Sequence, residues 1–324
     1  MNWEVLGAVG EVVGAAGSIF IECLAVYIAT RQCLDGKRIS REQRELSERI
    51  ERNNEAAQQE QERIVRAQSL DSYFDGISTL LLREEDGVLD EMGRILTKGR
   101  TDSILKILKS GEKRNLVTFL YGSGLISRND AEAPAVVALS GTDLSHLDLT
   151  GITLRQAGLE GANFQGTQIM GADLDHSDLR GANLTKANLS GTDLSNSDMH
   201  GIIGAEAIFS DVDLSEVDLS GADLRGDDFT GADLAYANLS GSNLRGANLE
   251  GANLSSANLS GANLREAGLV GTNRLDSRFD NLISIEDADF SGTQKLSEHG
   301  REYLLSIATG AHPATGINTT KSLE

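Results

Sequence analysis

The sequence is poor in the residue types that build disulfide-stabilised domains or proline-rich linkers. Among 324 residues there are two prolines, two cysteines and one tryptophan, and aromatic residues make up 4%. Cys23 and Cys33 lie in or beside the apolar N-terminus, so no disulfide framework is predicted and the rest of the chain suits a reducing compartment. Basic residues are also scarce, because 29 Lys and Arg stand against 49 Asp and Glu, a net charge of -20. Such a surface repels phosphates, and direct nucleic-acid binding is not expected.

A repeat of five residues occupies the middle of the chain. From Leu139 to Leu269 a large apolar residue recurs at every fifth position, and 21 of these 27 residues are Leu. The residue two positions earlier is small or β-branched, and the one between is mostly Asp or Asn. A period of five fits neither a helix nor a flat strand. It fits a chain that turns a corner every five residues, so that four sides close a square coil.

Glycine is abundant and regularly placed within this repeat. It occupies 13 of the 14 positions spaced ten apart from Gly141 to Gly271, and Asp211 is the exception. Glycine tolerates positive φ, so two opposite corners are predicted to use turns that favour it. Two other positions break the pattern: Gly204 leaves an axial site without a side chain, and Asp227 stands where Ala is usual. We expect a local bulge or a corner pushed outward here, with a kink or pocket spanning these coils as the alternative.

The A(D/N)LXX pattern, cleanest in GANLSSANLSGANL at residues 251–264, resembles the pentapeptide-repeat proteins. The resemblance covers residues 137–292 and implies a right-handed quadrilateral β-helix. The predicted fold class is therefore α+β, with this solenoid preceded by a transmembrane helix and a small α-helical domain. Five segments are expected: a transmembrane helix with its basic flank at 1–36, a charged helical stalk at 37–68, a helical domain capping the solenoid at 69–136, the β-helix at 137–292, and a cap with a disordered tail at 293–324.

The N-terminal apolar stretch, residues 5–30, is long enough to span a bilayer as a helix. Basic residues follow from Arg31 onwards and none precede it. The positive-inside rule then predicts a single-pass protein of the bacterial inner membrane, with the N-terminus outside and the rest cytoplasmic. Small and acidic residues in the stretch predict a homo-oligomer seam, with a pore or a buried helix in a soluble protein as the alternatives. The predicted seam consists of Gly7, Gly10, Glu11, Gly14, Gly17 and Glu22. The stalk that follows has too few apolar positions to predict a coiled coil.

Catalytic and metal-binding patterns are missing from the sequence. The five histidines are dispersed, no Cys/His cluster has metal-ligand spacing, and no Gly-rich loop joins a strand to a helix. We therefore expect no enzyme activity and no cofactor.

The outward Asp positions suggest a binding function instead, since residues 137–292 carry 24 acidic and eight basic residues. Residues 20 apart should stack into acidic columns, one formed by Asp173, Asp193, Asp213 and Asp233 and the other by Asp178, Asp198 and Asp218. We predict a membrane-tethered scaffold that presents these columns to a protein partner of unknown identity. Quinolone-resistance pentapeptide proteins are understood to imitate DNA for gyrase, so similarity to them implies a DNA-mimicking topoisomerase antagonist as one alternative. A membrane effector opened through its transmembrane segment is another. The repeat motif also accounts for Asp in these columns, because its oxygens bond the corner amides.

Overall fold

The structure is a computed structural model that describes residues 3–82, 89–126, 136–273, 277–294 and 296–324. The chain divides into two compact units, Met1–Gln68 and Ser69–Glu324. Five helices are present in the described residues: α1 (Trp3–Leu81), α2 (Glu91–Ile107), α3 (Ser110–Gly122), α4 (Glu298–Ile307) and α5 (Thr319–Ser322).

The first helix, α1, is continuous over 79 residues. It covers the predicted membrane span, the stalk and the beginning of the predicted helical domain, because no proline interrupts these segments. Gly36 does not break it either. Between residues 40 and 65 every side chain is solvent-exposed. Pairs of opposite charge four residues apart, such as Arg41–Glu45 at 3.1 Å and Arg44–Glu48 at 3.3 Å, support the helix along this stretch.

The predicted transmembrane span is wrong. Within the described part of the chain, no helix is long and apolar enough to cross a membrane. Glu11 and Glu22 interrupt the apolar stretch, and charged side chains are costly in hydrocarbon. The single-pass placement in the bacterial inner membrane, with the N-terminus outside and the rest cytoplasmic, is overturned with it. The six residues of the predicted seam belong to α1, and their side chains lie outside the described residues.

The repeat region forms a four-sided solenoid, as the period of five predicts. Single parallel bridges join residues 20 apart, from Asp143↔Asn163 through Asn258↔Arg278. The central Leu and Phe side chains, and the small side chains two residues before them, are buried and stack along the axis. Phe209 and Phe229 lie one coil apart with their rings stacked at 4.9 Å. Each coil thus buries its apolar residues against the coils above and below it.

The corners of the solenoid differ from the sequence-based expectation. Every fifth residue from Gly141 to Gly271 has a positive φ, between 54° and 71°. All four corners of each coil therefore adopt the left-handed conformation, whereas the glycine spacing predicts it at two opposite corners. Glycine occupies two opposite corners almost throughout, whereas residues such as His146, Lys186 and Tyr236 adopt the same conformation at the other two. The amide of the residue after each corner donates to the carbonyl three residues earlier, as in Thr142 N to Leu139 O at 3.1 Å around the Gly141 corner. This bond closes a type II turn.

Helices cover the first coil. Apolar residues of α2 and α3 continue the axial core, among them Leu105, Val117 and Leu120, all at most 2% exposed. The guanidinium of Arg114 in α3 donates to the carbonyls of Asp148 (3.1 Å) and Thr150 (2.7 Å) in the first coil. These contacts cover an edge that could otherwise pair with another chain.

The C-terminal end of the solenoid is covered as well. The bridge spacing becomes 21 at Asn263↔Ser284, so one extra residue is accommodated before the last sides are formed. Helix α4 buries Leu304 completely against this end. The segment after it is not the disordered tail that we expect from the sequence. It forms an antiparallel bridge, Ala311↔Asn318, and then α5, whose Ser322 hydroxyl accepts from the Phe290 amide at 3.0 Å.

Candidate functional site

The structure aligns the two predicted acidic columns on adjoining sides of the solenoid. Consecutive parallel bridges connect Asp173 to Asp193, Asp193 to Asp213, and Asp213 to Asp233. The second column runs through Asp178, Asp198 and Asp218 in the same way. In both columns the next residue is Asn, namely Asn253 and Asn238. Carboxylates on adjacent coils are therefore held about 4.8 Å apart along the backbone.

Each column carboxylate also has a structural role at its own corner. Asp193 and Asp213 accept a hydrogen bond from the amide two residues further on, at 3.0 Å in both cases. Asn253 makes the same contact with the Ser255 amide at 3.2 Å. This Asx turn explains why a side-chain oxygen is required, but it does not explain why the oxygen belongs to a carboxylate. The negative charge is thus the property that the turn leaves unexplained.

Arginine neutralises one end of the columns. Arg155 contacts Asp173 at 3.5 Å, and Arg180 contacts Asp178 at 2.8 Å and Asp198 at 3.6 Å. The hydrogen bond and charge of Asp178 raise the pKa of Arg180 above its usual range. Part of the predicted acidic surface is therefore already paired within the chain.

The other end of the columns keeps its negative charge. In the described residues no Lys or Arg pairs with Asp193, Asp213, Asp218 or Asp233. Asp213 and Asp233 are solvent-exposed, and Asp193 and Asp218 are partly exposed. The carboxylates that remain available to a partner thus lie in the later coils.

The structure adds one residue to this surface. Glu216 stands at the left-handed corner between Asp213 and Asp218, with φ 59°, and is exposed. Its place in the repeat identifies it, because a residue two positions after a central residue such as Leu214 lies at a corner and points outward. We call the surface formed by Asp193, Asp213, Glu216, Asp218 and Asp233 the acidic corner.

Gly204 and Asp227, which both break the repeat, form a single feature. Asp227 is fully buried, and its Oδ1 accepts from the Ala207 amide at 3.0 Å. A Cβ atom added to Gly204 would lie 2.5 Å from Asp227 Oδ2, so the carboxyl group fills the space that the missing side chain leaves. The bridges on this coil keep their spacing of 20, and neither a bulge nor a displaced corner is formed. Burial raises the pKa of Asp227 to about 8, and the hydrogen bond from Ala207 opposes this shift.

A cavity of about 160 Å³ lies where α2 and α3 meet the first coil. Its lining residues are Asp102, Leu105, Lys106, Lys113, Gly141, Thr142 and Asp143. Thr142 Oγ1 donates to Asp102 at 3.1 Å, and Lys98 pairs with the same carboxylate at 2.9 Å. The bond from Thr142 joins the first coil to α2, and the pair with Lys98 lies within α2 itself. Across the part of the chain that the structure describes, no group of three or more His, Cys, Asp or Glu could hold a metal ion.

A four-sided solenoid with columns of Asp and Asn defines a β-helical repeat protein. The Pentapeptide repeats family matches eight copies over residues 139–175, 171–201, 207–246 and 242–273. The repeat region thus belongs to the pentapeptide-repeat family, as the motif predicts, and it forms the right-handed β-helix of that family. No curated protein matches it in sequence.

Solved structures of pentapeptide-repeat proteins resemble it over about half its length. A trypsin-treated variant of QnrB1, a plasmid-mediated fluoroquinolone resistance protein, is 20% identical and covers 50% of this chain and 80% of its own, with a TM-score of 0.39. HetL, involved in heterocyst differentiation regulation in the cyanobacterium Nostoc sp. strain PCC 7120, is 27% identical over 49% of this chain and 84% of its own, with a TM-score of 0.28. A pentapeptide repeat protein from the Arabidopsis thaliana thylakoid lumen is 29% identical over 57% of this chain and 86% of its own, with a TM-score of 0.17.

Proposed function

We propose that the chain is a non-catalytic interaction protein whose acidic corner binds a basic surface on a protein partner. The observation that carries this proposal is the row of aligned carboxylates in the later coils, Asp193, Asp213 and Asp233, which no Arg or Lys of the described residues neutralises. Since Asn makes the same corner hydrogen bond, the fold alone does not require these charges.

Electrostatics supports a basic partner. Like charges held about 4.8 Å apart repel one another, and at physiological salt screening acts over about 8 Å. Lys and Arg side chains of a partner would relieve this repulsion, and complementary charge speeds association. Binding should therefore be strongly weakened by salt.

The test compares two triple variants of the full chain. The first, Asp213→Asn, Asp218→Asn and Asp233→Asn, removes three charges from the acidic corner. Asn already occupies the next position of both columns, so the solenoid should accept it. The matched control, Asp143→Asn, Asp228→Asn and Glu250→Gln, removes three charges from the other sides. Each protein is cross-linked in a cell extract at low and high salt, and the captured proteins are identified by mass spectrometry.

A protein that binds the acidic corner should not be captured by the first variant, nor by the unmodified protein at high salt. The control variant should still capture it at low salt. Equal capture by both variants would mean that the acidic corner does not bind, and the proposal would fail.

A DNA-mimicking topoisomerase antagonist is the second candidate. Where both columns carry Asp, two charges per coil of about 4.8 Å give one charge per about 2.4 Å, a line of negative charge somewhat sparser than the one charge per roughly 1.7 Å of double-stranded DNA. Under this candidate the full chain inhibits or protects purified gyrase in a supercoiling assay, the Asp→Asn variant does not, and the control does. Equal behaviour of the three proteins would exclude mimicry by these columns while leaving the extract experiment to decide the first proposal.

A further inference from the structure

Helix α1 carries exposed apolar side chains in its polar stretch. Leu46, Ile50 and Ile64 are 58%, 51% and 42% exposed, although charged and amide residues surround them in sequence. Their spacings of 4 and 14 residues place all three on one side of the helix. A long helix in water draws most of its stability from packing such a stripe, and no described side chain of Met1–Gln68 covers it.

The stripe follows a heptad register. The a positions are Gln43, Ile50, Ala57 and Ile64, and the d positions are Leu46, Asn53, Glu60 and Ala67. Tyr27 and Leu34 lie on another side of the helix, so the register begins after Gly36. The apolar positions are sparse, which is why the sequence alone did not predict a coiled coil.

Charges around the stripe fit a second copy of the same helix. The e positions are all uncharged: Ser47, Asn54, Gln61 and Gln68. In a parallel pair each e position faces a g position of the other helix, and the g positions include Glu42, Arg49 and Arg63. No like charges therefore meet between the e and g positions, and Glu60 at a d position is the one charge that faces its own copy across the interface. The ion pairs Arg41–Glu45 and Arg44–Glu48 lie on the outer face and stabilise the helix without using the stripe.

The one acidic residue in the stripe has its own counter-charge. Arg63 binds Glu60 with two hydrogen bonds, Nη2 to Oε1 at 2.7 Å and Nε to Oε2 at 2.9 Å. The bond from Arg63 lowers the pKa of Glu60. Because Arg63 occupies a flanking g position, this bidentate pair masks the charge at the edge of the stripe.

We propose that residues 43–68 of α1 form a parallel, in-register two-stranded coiled coil with a second copy of this chain. In that register Asn53 faces Asn53 of the second copy, so its amide can hydrogen-bond across the interface. In an antiparallel pair that overlaps over the same residues, Asn53 would face Ala57 and would leave its amide unpaired, which is costly. This interface is separate from the oligomer seam predicted at residues 7–22, and it does not depend on what the acidic corner binds.

The first test is the mass of the full chain in solution by sedimentation equilibrium. We expect twice the chain mass of 34.5 kDa for the unmodified protein. Leu46→Glu with Ile50→Glu places two charges in the stripe and should return the protein to the chain mass. The control, Gln58→Glu with Gln59→Glu, adds the same charge outside the stripe and should remain a dimer. A monomeric unmodified protein, or a dimer that survives the stripe variant, would refute the proposal.

Cross-linking then tests the orientation. In a background with Cys23→Ser and Cys33→Ser, Ile64→Cys should form a disulfide between copies under mild oxidation, because the two a positions meet in a parallel pair. In an antiparallel dimer these residues would lie at opposite ends of the stripe. A dimer by mass that does not cross-link at this position would overturn the parallel register.

Discussion

At the scale of single residues, the pair formed by Gly204 and Asp227 shows how two departures from the repeat can compensate each other. An axial glycine alone would leave a void, and an inward carboxylate alone would clash with the core. Together they occupy one volume, with Oδ1 of Asp227 hydrogen-bonded to the Ala207 amide and Oδ2 without a hydrogen-bond partner. The sequence shows both exceptions, but not that they meet. Their contact depends on which residues of successive coils lie above one another, 23 positions apart in the chain.

This pair makes the stability of the protein depend on pH. The pKa of Asp227 is about 8 in the folded chain and 3.8 in its ordinary state. Between these values the folded state holds a proton that the unfolded state has released, so the free energy of unfolding falls as pH rises. The slope from this group is about 1.4 kcal/mol per pH unit at most.

Asp227→Asn removes the titration, and we expect the variant to gain stability over the unmodified protein between pH 5 and pH 8. Urea unfolding at several pH values measures this difference. Asp228→Asn, the same change at the adjacent outward position, is the control. If the Asp227→Asn and unmodified curves run parallel across the range, the carboxyl group is not protonated as its burial requires.

At the scale of elements, the corners mark the limit of what the sequence predicts. The five-residue period is sufficient for the four-sided coil, because an apolar residue every fifth position can point inward only if the chain turns that often. The glycines point to left-handed turns at two corners. The same conformation at Lys186 or Tyr236 could not be predicted, since an exposed corner leaves room for a side chain and gives no sequence signal. A similar limit applies to α1, whose apolar stripe is too sparse to be recognised without the exposure of Leu46 and Ile50.

Asp211 offers a test at a glycine corner. It has φ 54°, and its Oδ1 occupies the space where Gly231 on the next coil would carry a Cβ, at 2.6 Å. Asp211→Gly relieves the left-handed strain, and we expect the free energy of unfolding to rise by about 0.5–1 kcal/mol. Gly221→Ala, at φ 66° in the same kind of position, should lower it by about 1–2 kcal/mol. Thermal or urea unfolding measures both, and a destabilised Asp211→Gly would show that the Asp side chain contributes more than its backbone costs.

At the scale of the whole molecule, the compact unit Ser69–Glu324 is one continuous core closed at both ends. The axial ladder passes from the buried residues of α2 and α3 through the solenoid to α4. Repeats of this kind gain stability from their neighbours, so the terminal coils depend on their covers. The repeat ends in the sequence near Leu269, but the cover after it could not be predicted. Residues 310–324 are polar and rich in small residues, and only their contacts with the last coil give them an ordered structure.

Helix α4 covers the C-terminal end of the solenoid, and substitutions in it test how much this cover stabilises the protein. Leu304 is fully buried against the final coil, whereas its neighbour Leu305 is 37% exposed. Leu304→Ala should therefore lower the free energy of unfolding by about 2–5 kcal/mol, and Leu305→Ala should have a much smaller effect. Because α4 covers the end of the solenoid, Leu304→Ala should also promote concentration-dependent association, since an uncovered coil can pair with another molecule. Urea unfolding with light scattering measures both effects. Equal losses in the two variants would mean that α4 does not close the solenoid through Leu304.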